Sequence, residues 1–555
     1  MANAKRWRSE PARVVAAVAG AAILGAASLA QAGMPVEWNR YHLKLDNSAF
    51  NDQEATLTAD KVGQLTLAWT FATAGPVWSS PAVSGNRVFV GVGDAAGTLW
   101  VLDRQTGAVL NSFATGENIY GGGAYSTPTV EGDVIYYQDA GGGLVKYDLA
   151  GNRQAFYVPP PINDAGFSSP AVWNGKVYAG LSNGTGGEPC TVGTMQAFDK
   201  NTGELLWSWE AVPAGYVGGG IWNSPAIDPE RNLVIFATGN PPNKESCGIP
   251  IPANTPGDYT DSIVALDADT GTLKWHFQAI PNDQKNLDFG GSSVVLFNDG
   301  VRDLAGAGSK NGFYYAVDRT DGAFAWSTDL NDSCGGVNTC SYILSPAGAA
   351  YGTLFLNIGS AEGDIYSARA SAAVSLDMQS GAIRWLTPGI GAQFGGPAIA
   401  NNVVYMGLSN SLAAFDQATG QVLFSYPTTG QVDDSPAVLD GEVYFGSADG
   451  FYNGYVYALK LPADATPTIT STATPLSTPT MTATVPATQT PVTCAGDCDA
   501  HGTVTSDELV TGLDIALGHL PTQSCPGLDG NNDGRVTVDE LLKAINAAVT
   551  DCPAR

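Results

Sequence analysis

The sequence predicts an all-β body, an eight-bladed β-propeller over about residues 35 to 462, followed by a small α-helical module. Composition is the first reason. The 555 residues include 67 glycines and 33 prolines, only 14% are charged, and no long segment before residue 500 has helical apolar spacing. The second is a repeat: an apolar strand, Asp, two or three residues, Gly, then a strand that often bears Trp. The third is that the last copy lacks a strand and the first part of the chain has one to spare.

The repeat reads "LWVLDRQTGAVLNSF", "LVKYDLAGNRQAFY", "MQAFDKNTGELLWSW", "IVALDADTGTLKWHF", "YYAVDRTDGAFAWST", "AVSLDMQSGAIRWLT" and "LAAFDQATGQVLFSY". Asp103, Asp148, Asp199, Asp267, Asp318, Asp377 and Asp416 open its turns. Glycine in each turn supplies the positive φ of a tight hairpin. A second hairpin precedes most copies, as in "SSPAVSGNRVFVGV" and "DSPAVLDGEVYFGS". Two hairpins make a four-stranded unit with the period of a propeller blade. The eighth unit, ending "GYVYALKLP", stops before its outer strand. "LTLAWTFAT", Leu65 to Thr73, is expected to complete it, which closes the ring and removes two open edges.

Lys5, Arg6, Arg8 and Arg13 precede "VVAAVAGAAILGAASLA" and the small-x-small site Ala30-Gln31-Ala32, so residues 1–32 read as a cleaved export signal. The expected location is periplasmic, secreted or on the cell surface. No later stretch is long and apolar enough to span a bilayer. The formal charge of −27 becomes −30 without that leader, and so acidic a surface argues against nucleic acid as a partner. Eight cysteines in an exported chain favour disulfides. Pairing is expected within three groups: Cys190 with Cys247, Cys334 with Cys340, and among Cys494, Cys498, Cys525 and Cys552.

The chemistry centres on "GGGIWNSPAIDPERNLVIFATGNPPN". This phrase and the Ala-x-Asp-x-x-Thr-Gly-x-x-x-Trp repeat resemble the quinoprotein alcohol dehydrogenases, including the polyvinyl alcohol dehydrogenase-like group. The resemblance implies pyrroloquinoline quinone stacked on Trp222 and calcium held by Asn240, Glu188 and Asp288. In "AIPNDQKNLDFGGSSVV" it implies Asp288 as catalytic base, with Asp283 second. In "GAGSKNGFYYAVD" it places Lys310 beside the quinone oxygens, where a cation stabilises developing charge. The expected substrate is a small or polymeric alcohol, and the electron acceptor a separate protein such as a cytochrome c, because no Cys-x-x-Cys-His haem motif is present. Two family features are missing. "IYGGGAYSTPTVEGD" has no adjacent cysteines, and a first-blade glutamate is replaced within "VWSSPAV". A cofactor-free propeller acting as a binding or scaffold protein is the other expectation.

Ala463 to Thr493 carries 12 threonines and five prolines in 31 residues and reads as an extended linker. Residues 494–555 read as a calcium-binding module. "DGNNDGRVTVDE" fits the EF-hand loop, with Asp529, Asn531, Asp533, the Arg535 carbonyl and Glu540 as ligands. "DCDAHGTVTSDE" offers Asp497, Asp499 and Glu508, weakened by His501. Two such loops after a Thr/Pro linker resemble a dockerin, which implies a cohesin-like partner.

Overall fold

The turns that the repeat predicts are built from their own side chains. Asp103 Oδ1 accepts the N–H groups of Gln105 and Thr106 and the Thr106 hydroxyl, and the Gly107 N–H donates to the Asp103 carbonyl. Asp199, Asp267, Asp377 and Asp416 do the same. The tryptophan at the end of the motif locks one blade to the next. Trp69, Trp207, Trp275, Trp326 and Trp385 each donate Nε1–H to a turn carbonyl of the following blade, at 2.8 to 3.2 Å. Their rings lie flat against that turn's glycine. A Cβ at Gly381, whose φ is +73°, would sit 2.5 Å from the Trp326 ring. Any side chain there meets both a left-handed backbone and an indole.

The computed structural model describes residues 37–115, 125–139, 143–157, 167–181, 192–241, 255–283, 285–331, 340–360, 371–388, 394–450 and 453–462, and scattered positions between 498 and 544. Among these, eight sheets, each built on four antiparallel strands, form the blades of an all-β propeller; Phe50–Asn51 adds in parallel to the inner strand Ala398–Ala400 of one of them. Blade 1 comprises Ala82–Ser84, Arg87–Gly91, Thr98–Asp103 and Val109–Ala114; blade 4 comprises Ala226–Asp228, Leu233–Ala237, Ser262–Asp267 and Leu273–Gln278; blade 5 comprises Val295–Asn298, Asp303–Gly308, Phe313–Asp318 and Phe324–Asp329. Thr66–Thr73 pairs antiparallel with Asn453–Lys460 of blade 8, so the ring closes through the early strand as expected. Serine hydroxyls stitch the inner strands together: the N–H groups of Thr127, Ser169, Ser224 and Ser435 donate to Oγ of Ser169, Ser224, Ser293 and Ser80.

An element absent from the sequence reading is a strap, residues 38–51. It touches the innermost strands of the blades one after another. Trp38 bridges Val83, Asn39 exchanges bonds with Val130, and the Arg40 guanidinium reaches the Val172 carbonyl. The carbonyls of Leu45, Asp46, Ser48 and Ala49 then accept the N–H groups of Ile227, Leu296, Ala349 and Ile399. Asn51 finishes on the Val438 carbonyl. His42, Leu43, Asn47 and Ala49 have φ between +49° and +66°, which bends the strap repeatedly. Its His42 is buried with Nδ1 beside the Asn47 carbonyl and Nε2 beside Ser435 Oγ; burial pushes the imidazole down to about 4, so it is neutral at pH 7.

The tail, Pro467–Arg555, is a separate unit. Its described residues include a short 3₁₀ helix, Thr522–Ser524, and an apolar cluster of Ile515, Cys525, Leu528, Val536 and Ala544. Cys498 and Cys525 form a disulfide, in keeping with pairing inside that group. Glu540 is buried and its Oε2 accepts both the N–H and the hydroxyl of Thr537. Glu508 accepts the Cys498 N–H. The leader, the linker, Glu188, Asp497, Asp499, Asn531, Asp533 and Arg535 lie outside the described residues, as do Cys190, Cys247 and Cys334. No helix among the described residues is long and apolar enough to cross a membrane.

Candidate active site

Three chain segments meet at the inner ends of blades 4 and 5. Trp222 lies on the segment that enters blade 4. Its neighbour Asn223 fixes it, since the side-chain amide both donates to and accepts from Ala237 at 3.0 Å. The strand Leu233–Ala237 then leads into Thr238-Gly239-Asn240. This bend packs so tightly that a Cβ on Gly239 would lie 3.0 Å from the Gly220 carbonyl and 3.3 Å from Asp288 Oδ2. Asp288 stands on the connection from blade 4 to blade 5, and Lys310 on the hairpin between Asp303–Gly308 and Phe313–Asp318.

Asp288 is fully buried and its oxygens are engaged. Oδ1 accepts the Lys310 ammonium at 2.7 Å and the Gly290 N–H at 2.8 Å. Oδ2 accepts the Asn240 N–H at 3.1 Å. Lys310 also donates to Asn286 Oδ1 at 2.8 Å, and its Nζ lies over the Trp222 ring, 5.2 Å from the centroid. A cation held against an indole face and a carboxylate has a fixed position. The structure thus brings Trp222, Asn240, Asp288 and Lys310 together. Asp283 is nearby and buried, but its two oxygens accept the N–H groups of Lys285 and Leu287. It shapes the loop that carries Asp288.

Two features of this region were missed in the sequence. The first is an arc of rings. Trp78 and Tyr125 stack at 4.9 Å between centroids, Tyr125 and Phe167 meet at 4.5 Å, and Phe167 and Trp222 stack at 5.5 Å. Each ring stands three residues before the proline of its blade: Trp78 before Pro81, Tyr125 before Pro128, Phe167 before Pro170 and Trp222 before Pro225. That register was visible in the repeated aromatic-x-x-Pro phrases. The second is acidic. Asp261 is fully buried, and burial, with Asp288, Asp283 and Asp258 adding to it, pushes its carboxyl well above the usual range. In blade 8 burial also raises Asp433, to about 6, beside Asp434.

Asp288 and Asn240 carry oxygens of the kind a hard cation takes, and both Asp288 oxygens accept protein donors here. Among the described residues no three His, Cys, Asp or Glu side chains converge on a metal-sized point, so a complete shell would need amide or carbonyl oxygens as well. A planar quinone fits the half-buried indole of Trp222 beside the Lys310 cation.

By fold this is a quinoprotein alcohol dehydrogenase-like propeller. A family model described as the glucose/ethanol/alcohol dehydrogenase β-propeller domain matches residues 157–332, which include every described residue of the site. A second, described as outer membrane protein assembly factor BamB, matches residues 4–222 and 369–460, more than half of the chain. The chain belongs to this family of PQQ-repeat propellers. It is distantly similar to quinoprotein alcohol dehydrogenases. Over 213 residues it is 33% identical to quinoprotein alcohol dehydrogenase PedH of Pseudomonas putida, covering 30% of this chain and 34% of that protein. Over 356 residues it is 26% identical to a polyvinylalcohol dehydrogenase of a Sphingopyxis species, covering 54% and 51%. The matches thus span about a third to a half of these relatives. A europium-containing methanol dehydrogenase superposes with a TM-score of 0.65 at 17% identity, covering 77% of this chain and 99% of that one, a likeness of fold.

Proposed function

We propose that the protein is an exported oxidoreductase that oxidises an alcohol with pyrroloquinoline quinone and calcium and passes the electrons to a separate acceptor such as a cytochrome c. The observation that carries this reading is the Asp288–Lys310 pair held at 2.7 Å against the Trp222 ring. When bound, the quinone supplies the two-electron acceptor and calcium a Lewis acid. The chain supplies the rest. Trp222 orients a planar ring on its indole. Asn240, Asp288 and, from its matching phrase, Glu188 are the oxygen ligands for the cation. Asp288 takes the hydroxyl proton of the alcohol, because it is buried, fixed by two backbone N–H groups and held beside the Lys310 ammonium. Lys310 holds positive charge where negative charge develops. The arc from Trp78 to Trp222 offers apolar surface to a small or polymeric alcohol.

The test is reconstitution. Purified protein is incubated with pyrroloquinoline quinone and calcium, and dye reduction is measured with primary alcohols, secondary alcohols and polyvinyl alcohol. Quinone-dependent reduction with at least one of them is expected. Saturable quinone binding without turnover, or no binding in equilibrium dialysis, rejects the enzyme reading. It then favours a non-catalytic binding or scaffold propeller, the reading to which the assembly-factor description of the matched family points.

The tail is proposed to be a dockerin-like calcium module that attaches the enzyme to a cohesin-like partner. Glu540 supports this. It is buried, caps its own helix start through Thr537, and stands where an EF-hand loop places its bidentate ligand. Calorimetry on the full chain should detect a calcium site that Glu540→Gln weakens at least about tenfold and Glu508→Gln weakens less. Equal binding in wild type and Glu540→Gln would remove the EF-hand reading of this loop.

A further inference from the structure

The arc of rings is part of a full circle of equivalent positions, one to each blade, and one position in that circle is charged. Backbone bonds to serine hydroxyls fix the register. The N–H of Ser224 donates to Ser293 Oγ, that of Gly396 to Ser435 Oγ, and that of Ser435 to Ser80 Oγ, each at 2.9 Å. Each of these residues lies two beyond its blade's position in the circle: Ser224 beyond Trp222, Gly396 beyond Phe394, Ser435 beyond Asp433 and Ser80 beyond Trp78. Asp433 of blade 8 therefore takes the place that Trp78, Tyr125, Phe167, Trp222 and Phe394 fill in their own blades. Phe394 stands on one side of it and Trp78 on the other. Blade 8 lies across the eight-bladed ring from blade 4, which carries Trp222.

An acid in that place lacks a counter-charge. Asp433 is buried, and its Oδ1 accepts the Gln431 side-chain N–H at 2.7 Å. Asp434 is buried as well; its Oδ2 accepts the Gly446 N–H, while Oδ1 has no partner. No Lys, Arg or His among the described residues acts on either carboxyl, and burial pushes Asp433 up to about 6 and Asp434 well above the usual carboxylate range. Such groups are costly, and folded proteins rarely keep them without a use. A cation from outside the chain would offset them, and the neighbours select its kind. A metal ion needs a shell of oxygens. The sides of this place are instead the rings of Phe394 and Trp78, and aromatic rings beside a carboxylate are a setting that holds ammonium groups.

We propose that the place between Phe394 and Trp78 binds an organic ammonium group on Asp433, and that this group is the far end of the alcohol that the protein oxidises. The second half rests on the reading of the Trp222–Asp288 site as alcohol-oxidising. It defines the substrate class as alcohols with a cationic nitrogen several bonds from the hydroxyl, because the two places stand on opposite sides of the ring.

The probe for the first half is tetramethylammonium chloride, titrated by calorimetry into the full chain without quinone or calcium and compared with sodium chloride. Saturable binding is expected from tetramethylammonium alone. Asp433→Asn should weaken it about tenfold or more, the scale of a desolvated ammonium contact. Without the probe this variant should melt no lower than wild type, because a buried charge without a counter-ion has gone. Absent tetramethylammonium binding, or equal affinity in wild type and Asp433→Asn, overturns the proposal. The second half is read on protein reconstituted with quinone and calcium, using hydroxyalkyl trimethylammonium ions of graded length against their uncharged tert-butyl analogues. At least one ammonium alcohol should be favoured about tenfold or more in kcat/KM, and Asp433→Asn should erase the preference through KM. Oxidation of the uncharged alcohols with no such preference overturns the substrate class and leaves the ammonium site. Asp433-dependent tetramethylammonium binding with no quinone-dependent oxidation of any alcohol rejects the enzyme reading, and the substrate class with it, while the ammonium site stands.

Discussion

Asp288→Asn is expected to lower alcohol oxidation by the reconstituted enzyme by about 10²- to 10⁴-fold, the usual contribution of a positioned general base. The amide keeps the shape of the carboxylate and can still accept the Gly290 N–H through its oxygen. It cannot take a proton. Its NH₂ group would then face the Asn240 N–H, a donor against a donor, which costs about 1–3 kcal/mol at a buried position. A modest fall in melting temperature should therefore accompany the loss of turnover. The two effects separate in the quinone-binding assay. Trp222 and Lys310 remain, so quinone affinity should stay within a few-fold of wild type while kcat collapses. Unchanged kcat would remove Asp288 from the reaction. Asp283 is a poor replacement, since loop N–H groups already occupy both of its oxygens.

Much of this architecture was legible because it is local chemistry repeated. Asp, Thr and Gly at fixed spacing write a turn whose bonds lie within five residues, and the unpaired early strand could be found by counting. The tryptophan of the motif was legible as a mark but not as a lock, because the glycine it covers lies in the next blade. The strap was invisible. "WNRYHLKLDNSAF" has no period of two or 3.6, and its partners lie tens to hundreds of residues away on separate inner strands. The site divided in the same way. Trp222, Asn240, Asp288 and Lys310 stood in phrases that resemble a known pattern. Asp261 stood before a strand, where an acid looks like a turn residue. Its raised carboxyl comes from burial among other acids, which is a property of the folded chain.

The strap also supplies the second large effect. Asn47 is buried, and its side-chain amide donates to the Ser224 carbonyl at 3.1 Å and the Val294 carbonyl at 3.0 Å. These belong to the inner ends of blades 4 and 5. Ser224 lies two residues beyond Trp222, and Val294 six beyond Asp288, so one amide clamps both sides of the candidate site. Asn47→Ala removes the clamp and leaves two buried carbonyls short of a donor, at about 1–3 kcal/mol each. It also places a β-carbon with no compensating polar group at a φ of +57°, which costs a further ~1 kcal/mol. The total, roughly 3–7 kcal/mol, is large for a single substitution. Asn47→Gly relieves the backbone and loses only the bonds, so it should fall between wild type and Asn47→Ala in denaturant midpoint. Asn47→Asp should be the worst, because it turns a carboxylate toward two carbonyls. If the clamp also sets the spacing of Trp222 and Asp288, Asn47→Gly should weaken quinone binding at temperatures well below its own melting. Equal midpoints for wild type and Asn47→Ala would mean that the strap merely lies against the ring; a stability loss with unchanged quinone affinity would mean that it holds the ring together without setting the site.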